Sequence, residues 1–247
     1  MVAVGTGLAA NLAALVALLA GLGTTVGLGP AAWAVGAACG VVVGAAVVRG
    51  LTWAGAVALG PADLVTLARV TLTCGVAALV AESFVRESVR PVVVVVAVAA
   101  LLLDALDGRV ARLTHSASMF GARFDGEADA FMLLVLSVYV ARAFGAWVLV
   151  IGALRYLFAV AGWVVPWLQD QLPDRPWRRV VAAIQGVVLA VAAADVAPRT
   201  LMLAVLVVAL ALLVESFGRD VLWLWRHRFS ESVDVTGSPA AFRLRPP

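Results

Sequence analysis

Residues 101–131 read "LLLDALDGRVARLTHSASMFGARFDGEADAF". Five carboxylates, Asp104, Asp107, Asp125, Glu127 and Asp129, sit between stretches fit for lipid. Asp104 and Asp107 are three apart and share one helix face, and Asp125 and Asp129, four apart, share a face of the next. A tight turn around residues 113–119 would join these helices antiparallel and let the four aspartates converge in the groove between them. Glu127 points to another face and stays outside that set. The segment therefore reads as two membrane helices meeting at an acidic site.

The rest of the chain supports a membrane reading. Its 247 residues are 64% hydrophobic and 13% charged, with mean hydropathy +1.04, whereas a soluble domain is nearer half apolar and a quarter charged. The net charge is +3 and all 18 basic residues are arginine, a bias that points to a GC-rich, bacterial genome. Cys39 and Cys74 lie in apolar runs and offer no metal-ligand spacing. The first apolar run is too long, and too poor in basic residues, for a cleaved secretion signal, so it reads as membrane helix.

A spanning helix needs roughly 20 apolar residues. Such runs occur at about 7–28, 31–48, 64–84, 91–113, 119–141, 144–165, 179–197 and 200–217. The expected fold is all-α, a polytopic membrane helical bundle of about eight transmembrane helices. Residues 51–63 are too short and broken to span and are expected along the interface. Three parts follow: an N-terminal hairpin with its interfacial segment (1–60), a six-helix membrane domain (61–217) and a cytoplasmic, amphipathic then disordered tail (218–247). Arginines set the orientation. Arg109, Arg112, Arg123, Arg175, Arg178, Arg179, Arg219, Arg226 and Arg228 fall on one side, and Arg86, Arg90, Arg142 and Arg199 on the other. The richer side is cytoplasmic by that rule, and the acidic segment opens toward it.

Four anions packed together at low dielectric repel strongly. Either some are protonated or cations lie among them. Carboxylate ligands without His or Cys suit a hard ion such as Mg²⁺ or Mn²⁺, and two such ions a few ångströms apart serve phosphoryl chemistry. The alternatives are a structural network with Arg109, Arg112 and Arg123, or a cation or proton pathway of the kind intramembrane acids often mark. A transporter would string its acids along a path; here they cluster in one short segment.

The fixed positions are Asp104-x2-Asp107-Gly108-x2-Ala111-Arg112-x8-Gly121-x3-Asp125-x3-Asp129. In every residue and gap this resembles the signature of the CDP-alcohol phosphotransferase family, over about residues 61–217. The resemblance implies an enzyme that takes a CDP-linked lipid donor, such as CDP-diacylglycerol, transfers its substituted phosphate to a polar alcohol acceptor and releases CMP. It implies two divalent ions held by Asp104, Asp107, Asp125 and Asp129, with Asp129 also the general base. It places Gly108, Ala111, Arg112, Ser118 and Gly121 at the nucleotide, and maps Asp63 and Thr66 to the family's first-helix entry. The competing reading of those two is a helix cap and an ordinary interior threonine. The resemblance further implies a homodimer in the inner or plasma membrane, the bilayer as partner and no nucleic acid. A catalytically inactive relative is the remaining alternative. The hairpin before residue 60 is extra to the family core.

Other polar residues stand outside the signature. Arg69, about 9 Å into the third apolar run at 1.5 Å per residue, supports the nucleotide pocket or pairs with an acid. Gln185 and Asp195 read as interhelical partners, Trp163 and Trp167 as interface anchors, and His115 and His227 as surface residues. Arg155 lies mid-helix and Arg178 and Arg179 start the seventh run. They are expected to form a basic acceptor pocket for a phosphorylated polyol, inositol phosphate or glycerol phosphate, or else to be a paired arginine and two positive-inside charges.

Overall fold

The structure is a computed structural model that describes residues 2–55, 58–86, 89–114, 119–169 and 176–227, without the side chains of 2, 105, 107–114, 119 and 176. Among the described residues there are eight α-helices: α1 (Val4–Val26), α2 (Pro30–Ala54), α3 (Pro61–Ser83), α4 (Arg90–Thr114), α5 (Met119–Phe144), α6 (Leu149–Val164), α7 (Pro176–Ala194) and α8 (Arg199–His227). Six of them are long and apolar enough to cross a membrane. The other two, α4 and α5, have 25 and 26 residues and carry the acidic stretch. The chain is thus a multi-pass membrane protein of the expected all-α class.

Two boundaries differ from expectation. Residues 51–54 are not a separate segment but complete α2, with Leu51 buried in a cluster with Val47, Leu59 and Leu67. Just beyond, Ala58–Leu59 pairs antiparallel with Val2–Ala3. The expected tail from residue 218 begins as the last turns of α8, which runs unbroken to His227. Asp220 and Leu224, four apart on one face, are buried, so this part of α8 is held by packing.

The helix ends explain themselves locally. Gly27, at φ +73, stops α1 with its N–H on Gly23 O at 3.0 Å, and Pro30 opens α2, the usual asymmetry of glycine past a helix end and proline at a start. The hairpin loop is tied to the core at that point. Gly29 N–H donates to Glu82 Oε2 at 2.6 Å, and Arg86 donates to Gly27 O at 3.0 Å.

Helix α3 is the axis of the bundle. In its most apolar stretch 72% of residues are buried, against 17% in α1 and in α2, so it packs on every side while the hairpin faces lipid over most of its surface. Thr71 of α3 donates to Asn11 of α1 at 2.5 Å. Gln185 behaves as the expected interhelical partner, donating to Ala209 O of α8 at 2.7 Å. Asp195 pairs with Arg90 at 2.7 Å. At that same end Arg142 donates to Ser83 at 2.8 Å and Arg199 to Ala143 O at 2.9 Å. These contacts stitch one end of the bundle and leave the acidic segment at the other.

Candidate active site

Asp104 of α4 and Asp125 and Asp129 of α5 each present a carboxylate oxygen, and the three oxygens lie within 4.8 Å of one another. The guanidinium of Arg69, on α3, meets all three. One nitrogen is bonded to Asp104; another lies 2.6 Å from Asp125 Oδ1 and 3.2 Å from Asp129 Oδ1, and donates to the backbone carbonyl of Asp125 at 3.2 Å. Arg69 is 3% exposed, while the aspartate side chains are 37–40% exposed. The site therefore has a buried cationic floor and an open anionic rim. It sits about 12 Å below the N-terminal end of α3 and about 15 Å from the C-terminal end of α4, at 1.5 Å per residue. Arg69, expected to pair with an acid or to support the nucleotide pocket, meets the acids. A lone arginine inside an otherwise apolar helix was the available signal, since so costly a charge must be compensated.

The remaining expected residues fall as follows. Asp107, Gly108, Ala111 and Arg112 continue α4 beyond Asp104, with side chains outside the described residues, as is all of Ser118. Gly121 lies on α5 one turn before Asp125. Asp63 and Thr66 are buried. Asp63 caps α3, accepting from Gly60 N–H at 2.8 Å, and Thr66 donates to Ala62 O at 3.2 Å. These are the bonds of the cap-and-interior reading. Asp63 Oδ1 is nevertheless buried without a hydrogen-bond partner among the described residues, an unspent acceptor close to the helix entry.

The three acceptor arginines are not gathered as a bare basic pocket. Arg155 pairs with Glu127 at 2.6 Å and stacks over Gly126, where a side chain would come within 3.4 Å of it. Its partner is thus the one acid of residues 101–131 outside the signature. Arg178 faces Asp220 of α8 at 3.5 Å, and Arg179 is exposed at the start of α7. Glu127 is two residues from each of Asp125 and Asp129, which turns it to the far side of α5.

Residues 59–215 match the CDP-alcohol phosphatidyltransferase family. The chain belongs to that family. The match begins just before α3 and ends within α8, so α1 and α2 lie outside the family's core. Two similar relatives are CDP-diacylglycerol–serine O-phosphatidyltransferases of Helicobacter pylori, strains 26695 and J99. Each is 44% identical over 66 residues, 25% of this chain and 28% of the relative, so well under a third of those relatives' length is matched. No solved structure matches the chain.

A divalent ion suits this cluster of a CDP-alcohol phosphatidyltransferase family member. The donors are all carboxylate oxygens, the set a hard cation prefers. Three anions face one guanidinium, and the excess negative charge is what such an ion would neutralise. The acids are partly open to a ligand from the rim while Arg69 fixes them from below.

Proposed function

We propose that the protein transfers the phosphatidyl group of a CDP-linked lipid such as CDP-diacylglycerol to a polar alcohol, releasing CMP. The convergence of Asp104, Asp125 and Asp129 on one another within 4.8 Å, inside a membrane bundle, carries this reading. These three with Asp107 would hold two divalent ions, Mg²⁺ or Mn²⁺. Ions bound there would neutralise the donor's pyrophosphate and stabilise the leaving phosphate of CMP.

The protein's own groups do the rest. Gly108, Ala111, Arg112, Ser118 and Gly121, with Asp63 and Thr66 at the start of α3, form the nucleotide side. Arg69 holds the acids in register through three carboxylates at once. The acceptor hydroxyl attacks the phosphorus of the lipid-side phosphate, the bond to the bridging oxygen breaks, and Asp129 takes the hydroxyl proton. Lipid chains stay in the bilayer throughout. The site opens to the cytoplasm of a bacterial cell, on the arginine-rich side, and the enzyme works as a homodimer.

Two acceptors compete. A phosphorylated polyol, inositol phosphate or glycerol phosphate, is favoured by Arg155, Arg178 and Arg179. Glu127 and Asp220 already offset two of those charges, which favours an acceptor without net negative charge. The relatives' name points to serine. We take serine as the first acceptor to try and the phosphorylated polyols as the second.

The test is CMP release from purified protein with CDP-diacylglycerol and Mg²⁺ or Mn²⁺, offering serine, glycerol phosphate and inositol phosphate in turn. CMP and the matching lipid are expected with one acceptor and lost on excess EDTA. No CMP with any acceptor would make the chain an inactive relative, and full release in EDTA would end the metal reading.

A further inference from the structure

Helix α2 lies outside the family's core, yet it builds a cavity against it. A crevice of about 370 Å³ runs between α2 and α5, with Val70 of α3 at its back. That volume is within the range of ligand pockets. Its walls are mostly apolar, from Val43 and Ala46 on α2 to Phe124 and Phe131 on α5, with one lining carboxylate, Glu127, paired to Arg155. Arg123 is at its mouth, over the ring of Trp53 at 5.0 Å. Gly50 lets the two helices close, since a side chain there would come within 2.8 Å of the Phe120 ring.

We infer that this crevice seats one acyl chain of the donor lipid, so that the extra hairpin supplies half of the donor's lipid site. The inference rests on the proposed function and adds to it the place where the donor's tail lies. Length supports it. The lining runs from residue 43 to 54 on α2 and from 120 to 131 on α5, about 16 Å along each helix, and one leaflet of the hydrocarbon core is about 15 Å. Position supports it too. Phe124 and Ala128 of the lining are sequence neighbours of Asp125 and Asp129, and Val70 is next to Arg69, so only the α3–α5 contact separates crevice from carboxylates. Charge completes the match. Arg123 is exposed, has no carboxylate partner among the described residues, and stands at the headgroup end beside an exposed tryptophan, where a lipid phosphate would lie. A hydrocarbon chain seated between apolar walls gains dispersion contact along its length.

The experiment narrows the crevice without touching the site. Ala46→Phe fills it from α2; Val48→Phe, on the opposite face of the same helix, is the control. The KM for CDP-dioleoylglycerol should rise about tenfold over that for CDP-dioctanoylglycerol in Ala46→Phe, with acceptor KM unchanged, and the ratio should not move in Val48→Phe. An unchanged ratio in folded Ala46→Phe overturns the inference. A second arm needs no turnover: CDP-diacylglycerol with a diazirine-tagged acyl chain should label residues 43–54 or 120–131 and be displaced by untagged donor. If that labelling occurs while no CMP is ever released, the activity reading fails and the lipid seat stands. Labelling by tagged phosphatidylethanolamine that donor does not displace would make the occupant a resident lipid and overturn the assignment.

Discussion

At the residue scale, the site is a balance between three carboxylates and Arg69. The arginine is the less exposed partner by far, so it orders the acids while they remain reachable from the rim. Asp129 lies 3.2 Å from the guanidinium, against 2.6 Å for Asp125. Asp129→Asn keeps size and most polar contacts but cannot take a proton. Its CMP release should fall 10²–10⁴-fold, the usual worth of a general base, with the thermal midpoint within a few degrees of wild type. Wild-type turnover in Asp129→Asn would remove it from the mechanism. The shared face of Asp125 and Asp129 was legible from spacing, because residues four apart on a helix lie on one side. The grip of Arg69 was not, since it joins a third helix 35 residues from the first acid.

At the element scale, close helix contacts hold α5 in place, and Gly152 is the tightest. A Cβ at Gly152 would come within 2.4 Å of the Cα of Leu134 and the Oγ of Ser137. Backbone does not yield as a flexible side chain does, so α6 must move away from α5. Gly152→Val should lower stability by about 1–3 kcal/mol, the cost of overpacking a filled interior, read as a lower thermal midpoint in detergent. Since Arg155 is one turn further along α6 and pairs with Glu127 of α5, activity should fall as well. An unchanged midpoint would show that the two helices do not meet there. The hairpin's role was likewise invisible in sequence: α1 and α2 read as two apolar runs, and only their packing against α3 and α5 showed a crevice.

At the scale of the whole molecule, the helices alternate in direction, so the C-terminal ends of α2, α4 and α6 share one side with the N-terminal ends of α3, α5 and α7. That side has the acids and most arginines; the far side has Arg86, Arg90, Arg142 and Arg199 in contacts with loop and helix-end groups. From the positive-inside rule we propose that the acidic side is cytoplasmic. A cysteine introduced between residues 168 and 175 should resist an impermeant thiol reagent in intact cells, and one near Arg86 should react. The reverse pattern would invert the protein in the membrane.

Helix number and the shared face of Asp125 and Asp129 were set by the sequence itself, because each follows from short-range rules. Lipid demands runs of about 20 apolar residues, and the helical repeat places residues four apart on one face. Tertiary structure decided everything that depends on which face meets which. It made α3 the buried axis, gave Arg69 to three acids at once, carried α8 to His227 by burying Asp220 and Leu224, and gave Arg155 and Arg178 carboxylate partners from other helices. Inside a membrane every helix is apolar on most sides, so hydropathy cannot rank the faces. Close packing and the compensation of buried charge do that, and both act between residues far apart in the chain.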